Sequence, residues 1–300
     1  MSAQRAERVE GPVAASEGTS EGRLNVDLHC HSTVSDGLLA PAEVVRRAVS
    51  NGVDMLALTD HDEVSGLDEA HAAARQCGLR LVSGVEISVS CMGETVHVVG
   101  LGIDHRNPAL LAGLARVRSG RDERATRMGA EFDRIGIRGV LEGARALARN
   151  PELVSRSHFA RQLVAMGVMP DVATVFQHYL AKGKPGYVEH EWASLEEAVG
   201  WIRGAGGIAV VAHPARYRFS EADMARLFQR FVACGGEAVE VVSGAHSEDE
   251  VRAFARLARR LGLLASRASD FHGVEESRVD LGACADLPDD LVPVWSRLLS

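Results

Sequence analysis

The chain has 300 residues, 46% of them hydrophobic and 25% charged, an ordinary globular composition with room for a sizeable α/β core. Its 33 basic and 41 acidic residues leave a net charge of -8, which argues against a broad electrostatic grip on long duplex nucleic acid but permits a small phosphorylated ligand held through metal ions. No run of about 18 apolar residues occurs and the N-terminus lacks an apolar signal core, so neither a membrane span nor a secretory leader is expected.

Residues 1–22 are polar and aperiodic and read as a disordered tail. A strand is expected over Leu24–Leu28. Pro41–Ser50 reads as a helix, with proline at its first position and Gly52 beyond its end. Val53–Thr59 is a nearly continuous apolar run, as in a strand covered on both faces. Leu67–Cys77 is helical and closed by Gly78, and Leu79–Ser83, Val85–Ser90 and Thr95–Leu101 are strand-like. From Asn107 to about Lys182 the chain is rich in Ala, Arg and Leu. Several short helices are expected there, a helical insertion over 107–182 that divides a barrel domain of 23–106 and 183–300. Strand signals return at Ile208–Ala212, Ala238–Val242 and Leu263–Ser266, with helices at Leu195–Gly204, Glu221–Cys234 and Ser247–Leu261. Strands alternating with helices argue for parallel α/β architecture, as a barrel or an open sheet.

Five cysteines are scattered without a CxxC pair, which points to a reducing cytoplasm and away from a thiolate zinc site. Histidine carries the chemistry. His29 and His31 stand two apart beside Asp27 at a strand end, so all three are expected on one face. Asp36 follows in a Ser-Asp-Gly turn signal. An HxH alone is weak evidence against solvated loop histidines. Asp60, His61 and Asp62 follow the apolar run ending at Leu58, where α/β barrels place their chemistry; a helix cap is the plain alternative. Glu86 sits in an apolar strand and needs a cation if buried. His97 has the same setting, with a satisfied core histidine as the alternative. His213-Pro214 ends another apolar strand, and Asp270 and His272 repeat the pattern of polar residues two apart. Five strand ends thus carry His, Asp or Glu. Nine candidate ligands emerge: His29, His31, Asp36, His61, Glu86, His97, His213, Asp270 and His272. At three or four ligands per ion they suit two or three divalent ions, with Mn²⁺ expected first and Zn²⁺ or Fe²⁺ as alternatives.

The motifs DLHCHSTVSDG, LTDHDEVSG, GVEIS, TVHVVG, AHP and SDFHG in this order resemble the PHP (polymerase and histidinol phosphatase) family. The stretch GVEISVSCMGETVHVVGLGID and the helical segment after it resemble its TrpH/RNase AM group of 3′,5′-nucleotide bisphosphate phosphatases and 5′→3′ exoribonucleases. The resemblance implies a distorted (β/α)₇ TIM-like barrel with a trinuclear site. By position in the family pattern, His29, His31, Glu86 and Asp270 hold one ion. Glu86 bridges to a second, completed by His97 and His213. Asp36, His61 and His272 hold the third. Asp27, Asp60 and Glu240 are then expected to orient imidazoles.

Metal-activated hydroxide is the expected nucleophile, attacking a nucleotide phosphoester. Asp60 and His246 are candidate proton donors to the leaving group. Arg156, His158, Lys184, Arg216 and His246 are the candidate substrate contacts, since guanidinium suits phosphate. Tyr187 or His158 is a candidate base-stacking group. Aromatic content of 5% disfavours an extended stacking platform, so a small bisphosphorylated nucleotide or the 5′ end of a short RNA is expected. Competing readings are a histidinol-phosphate phosphatase, an amidohydrolase cleaving C–N bonds and a non-catalytic accessory domain. The second normally carries a carbamylated lysine or a mononuclear site, and the only lysines are Lys182 and Lys184, away from the strand runs beside these ligands.

Overall fold

Strand β1 (Val26–Asp27) opens the described chain, residues 24–299 of a computed structural model. The tail expected over residues 1–22 lies outside the described residues. The remaining strands are β2 (Met55–Leu58), β3 (Arg80–Cys91), β4 (Glu94–Leu101), β5 (Ile208–Val211), β6 (Ala238–Ser243) and β7 (Leu264–Ala268). They form one sheet in chain order. Main-chain bonds from Leu28 N to Arg267 O (3.1 Å) and from Asp270 N to His29 O (2.9 Å) bring its two edges together into a barrel.

One strand departs from the parallel pattern. β4 is antiparallel to both β3 and β5, while the other pairs are parallel. The cause is local. Only Met92 and Gly93 separate β3 from β4, at φ 51° and 77°, a two-residue turn with both central φ positive that suits tight hairpins. The return strand therefore needs no crossover helix.

The barrel interior holds Val26, Leu28, Met55, Ala57, Val82, Val99, Leu101 and Val210, with Val294 and Trp295 packed against them. The alternate residues, such as Leu56, Leu58, Ile87 and Val211, pack outward. They meet α1 (Pro41–Ser50), α2 (Leu67–Cys77), α7 (Leu195–Gly204), α8 (Glu221–Ala233) and α9 (Glu248–Leu261). Each fully buried Val or Leu contributes roughly 1.5–3 kcal/mol.

Between β4 and β5 the chain is helical, but not as several short pieces from the start. α3 runs unbroken over Pro108–Arg134, capped by the Asn107 side chain on Ala109 N and Leu110 N. Its glycines are contact points, not breaks. A Cβ on Gly113 would lie 2.5 Å from Trp201, and one on Gly129 would lie 2.7 Å from Leu141. At 1.5 Å per residue α3 is about 40 Å long. Leu110 and Leu114 join the barrel's outer core, whereas Ala125, Met128 and Phe132 join a separate core. That second core includes residues from α4 (Val140–Leu147), α5 (Arg156–Ala165) and α6 (Val172–Val175). Among the described residues, no helix is long and apolar enough to cross a membrane, and all five cysteines are free.

Candidate metal centre

The strand ends deliver the histidines and carboxylates to one place. β1 ends at Asp27, and the chain twists so that Leu28 joins the barrel interior while Cys30 packs outward. That twist separates Asp27 from the histidines, contrary to the expected shared face. Asp27 instead accepts from Ser269 N (2.9 Å) and Gly282 N (2.8 Å), and it orients no imidazole. His29 and His31 turn inward and bring their Nε2 atoms to 3.1 Å. Around them, His29 Nε2 lies 3.3 Å from Glu86 Oε2 and 3.5 Å from Asp270 Oδ1. His31 Nε2 lies 3.4 Å and 3.2 Å from the same two oxygens. Glu86 Oε1 meets His97 Nδ1 at 2.8 Å and His213 Nε2 at 3.0 Å. The hairpin register explains the reach of His97, because it sets Ser88 opposite His97 and Glu86 opposite Val99. Asp36 Oδ1 faces His61 Nε2 at 3.7 Å and His272 Nε2 at 3.5 Å. His61 Nδ1 is also 2.8 Å from Glu86 Oε2. All nine ligand candidates fall into overlapping groups whose donor atoms lie within 4.8 Å of one another.

These atoms are arranged for cations. Glu86 Oε2 and Asp36 Oδ1 are buried and make no hydrogen bond, a costly state for a carboxylate without a positive partner. Glu240 Oε1 accepts a hydrogen bond from His29 Nδ1 at 2.6 Å, which directs Nε2, the other ring nitrogen, to the cluster as the ligating atom. The Asp270 carbonyl does the same for His272 Nδ1 at 2.9 Å. Burial pushes the Glu86 carboxyl up, but the imidazoles of His61, His97 and His29 outweigh it and hold it well below its usual range. Burial holds His31 at about 3 and His97 at about 4, so both stay neutral and able to ligate near pH 7. His213 and Asp270 take positive φ of 26° and 55°, strain of the kind that collects at functional sites.

The cluster floors a cleft that opens to solvent. Four arginines line it: Arg121, Arg124, Arg156 and Arg216. Arg216 Nη1 lies 2.6 Å from Asp270 Oδ2. Arg121 is bound to Asp62 and stacks 4.8 Å over Trp192. Arg124 donates to Val188 O at 3.3 Å and Arg156 sits over the Phe176 ring, and among the described residues neither has a carboxylate within ion-pair distance. Burial, with Arg156 and Arg121 nearby, lowers Arg124 to about 9. Ser155, Ser157, Phe176 and Trp192 complete much of the wall.

Of the substrate contacts read from the sequence, Arg156 and Arg216 are in this wall. The others are elsewhere. His158 is buried under the start of α5, where its Nδ1 accepts from Ser155 N at 3.0 Å. Lys184 is exposed and outside the lining. His246 binds Val241 O through Nδ1 and stacks on Phe254, which keeps it out of the cleft. Asp60 accepts from Ser32 N, Ser32 Oγ and Ser35 Oγ. Its oxygens are committed to that loop and orient no imidazole. Tyr187 does not line the cleft, whose aromatic faces are Phe176 and Trp192. Sequence reading missed Arg121, Arg124 and Trp192. The available signal was arginine at 118, 121 and 124, three apart and so on one helical face.

A PHP domain matches residues 27–205. A 3′,5′-nucleoside bisphosphate phosphatase of Chromobacterium violaceum is 53% identical over 274 residues, 91% of this chain and 96% of the relative. A 5′-3′ exoribonuclease of Haemophilus influenzae is 41% identical over 271 residues, 90% of this chain and 98% of the relative. Among solved structures, an amidohydrolase from Chromobacterium violaceum with bound sulfate and no metal superposes with a TM-score of 0.89 at 53% identity, covering 92% of this chain and 96% of that one. The PHP match begins at Asp27, on the strand leading into His29 and His31, and the relatives carry the similarity along nine-tenths of the sequence; the chain belongs to the PHP family.

Proposed function

We propose that this chain is a metal-dependent phosphoesterase that removes the 3′-phosphate of nucleoside 3′,5′-bisphosphates. One observation carries the reading. The floor of the cleft is a cluster of groups suited to cations, and its wall holds Arg124 and Arg156, which have no carboxylate partner among the described residues. A substrate with two anionic groups matches both features. The 53% relative supports the same substrate class. A second reading, 5′→3′ cleavage of short RNA, is favoured by the exoribonuclease relative, since both activities hydrolyse one phosphoester at a time. The complete ligand set speaks against a non-catalytic accessory domain, and the absence of lysine from the cleft lining against C–N hydrolysis.

His29, His31, Glu86 and Asp270 would hold one ion, Glu86 with His97 and His213 a second, and Asp36, His61 and His272 a third. Divalent ions there supply the Lewis acidity that ionises water and offsets charge on phosphoryl oxygens. The donors are imidazole and carboxylate with no thiolate, which suits Mn²⁺, Fe²⁺ or Zn²⁺; Mn²⁺ is the proposed ion. Glu240 keeps His29 in the ligating tautomer. Arg124 and Arg156 grip the phosphate that does not react, by charge-assisted hydrogen bonds. Phe176 offers its face to the base. The segment 107–182 acts as the lid, because it supplies Arg121, Arg124, Ser155, Arg156, Ser157 and Phe176 to the cleft. A reducing cytoplasm suits the five free cysteines.

The test offers Mn²⁺-loaded protein adenosine 3′,5′-bisphosphate, 5′-phosphorylated RNA and histidinol phosphate in parallel, with Asp270→Ala as control. Phosphate release from the bisphosphate, absent in the variant, is the expected result. Turnover of histidinol phosphate alone would overturn the substrate class while sparing the metal centre.

A further inference from the structure

The three ligand groups differ in what holds them. His29 and His213 are fixed from inside the barrel, through Glu240 on β6. Its Oε1 lies 2.6 Å from His29 Nδ1, and its Oε2 accepts His213 N at 2.6 Å. Asp270 donates its own N–H to His29 O on the neighbouring strand end. The group Asp36, His61 and His272 is anchored differently: the helical segment 107–182 holds Asp36 directly and reaches His61 and His272 through their neighbours Asp62 and Glu276. Asp36 points Oδ1 at His61 and His272. Its Oδ2 accepts from Ser155 Oγ at 3.0 Å and Ser157 Oγ at 2.9 Å, both at the start of α5. Arg161, one turn further on, donates to Asp36 O at 2.6 Å and pairs with Glu276 at 2.7 and 2.8 Å. Glu276 is in the turn after His272, whose N–H donates to Ser277 Oγ at 2.8 Å. His61 is followed by Asp62, held by Arg121 of α3, while Arg118 donates to Asp62 O at 2.8 Å. Asp60 fixes the backbone of the Asp36 loop from the barrel side, but the direction of the Asp36 carboxylate is set from α5.

We infer that the helical segment builds the third cation site: Ser155, Ser157 and Arg161 are positioning residues for Asp36 and His272, whereas the other two sites are completed by the barrel alone. The inference rests on the three-ion reading above. It makes the third ion's affinity dependent on how α5 sits against the barrel. A ligand that presses the lid down would tighten that ion, and the ion would in turn hold the lid.

Mn²⁺ binding to the full chain tests this, read by electron paramagnetic resonance and by metal content after gel filtration, with no substrate present. Ser155→Gly with Ser157→Ala removes both hydroxyls, and glycine retains most of the capping preference at position 155. Loss of a partner that orients a metal ligand typically weakens binding 10- to 100-fold. The expected result is three ions in the wild type and a 10- to 100-fold loss for the weakest one in the variant, the other two unchanged. Ser157→Thr, which keeps the hydroxyl, should restore it, and Arg161→Met should reproduce the selective loss in a chain with α5 capped. Equal weakening of all three ions would show a general structural effect and overturn the inference. Unchanged affinities in both variants would overturn it as well, leaving the three-ion reading intact. Fewer than three ions in the wild type would overturn both.

Discussion

Glu240→Gln isolates the part of the site that the barrel supplies. Glu240 is buried and faces two donors, His29 Nδ1 and His213 N, each at 2.6 Å. A carboxylate accepts from both, but an amide has only one oxygen. If the amide oxygen keeps the His213 N–H, the amide nitrogen faces His29 Nδ1. The His29 proton must then move to Nε2, the atom 3.3 Å from Glu86 and 3.5 Å from Asp270, where it blocks ligation. If the amide flips, the buried His213 N–H faces a donor and the strained turn at φ 26° loses its anchor. Side-chain volume hardly changes, so packing is preserved. The expected loss of Mn²⁺ affinity at the site containing His29 is 10- to 100-fold, about 1.4 to 2.7 kcal/mol. Isothermal titration of Mn²⁺ into metal-free protein measures it, with circular dichroism verifying the fold. Mn²⁺ affinity within twofold of wild type would refute the tautomer argument.

Replacing Arg124 and Arg156 together by methionine removes the two charges assigned to the non-reacting phosphate. At about 1.5–3 kcal/mol for a hydrogen bond to a charged group, kcat/KM for adenosine 3′,5′-bisphosphate should fall at least tenfold, while that for adenosine 3′-monophosphate changes little. Equal losses on both substrates would place these arginines at the reacting phosphate instead. Burial lowers His158 to about 4, and its Nδ1 must stay unprotonated to accept from Ser155 N. The unfolded chain, with histidine near 6.5, therefore binds more protons between pH 6.5 and 4. The sign follows: this contribution is complete above pH 6.5 and is lost as pH falls toward 4, by on the order of 3 kcal/mol. Urea unfolding at pH 7 and pH 5 should show a smaller loss of stability for His158→Gln than for wild type. An identical loss would mean that His158 titrates normally.

Several elements were legible because their signals are local. Pro41 and Gly52 bracket α1, Gly78 takes a left-handed φ of 72° at the end of α2, and Ser194 caps α7 through Glu197 N. The helices at Pro41–Ser50, Leu67–Cys77 and Leu195–Gly204 accordingly have the expected bounds. The β3–β4 hairpin was harder, because Met92 gives no sign of a left-handed turn. The length of α3 was hidden by its glycines, whose reason is a side chain from another element. Lys184 and His246 show the same limit at the site. Their chemistry suited phosphate, but nothing within a few residues reported that one stays in solvent and the other is spent on a backbone carbonyl.

The nine clustered histidines and carboxylates could be named from the sequence alone, because a polar residue at the end of an apolar strand is unusual within its own neighbourhood. The face that Asp27 presents, the arginines that α3 lowers into the cleft and the hydroxyls of α5 on Asp36 were decided by tertiary structure. These contacts join residues far apart in the chain: His29 meets Glu240 across 211 positions, and Ser155 meets Asp36 across 119. Side-chain periodicity encodes which face a residue takes within its own element, but not which residue of another element will stand opposite it.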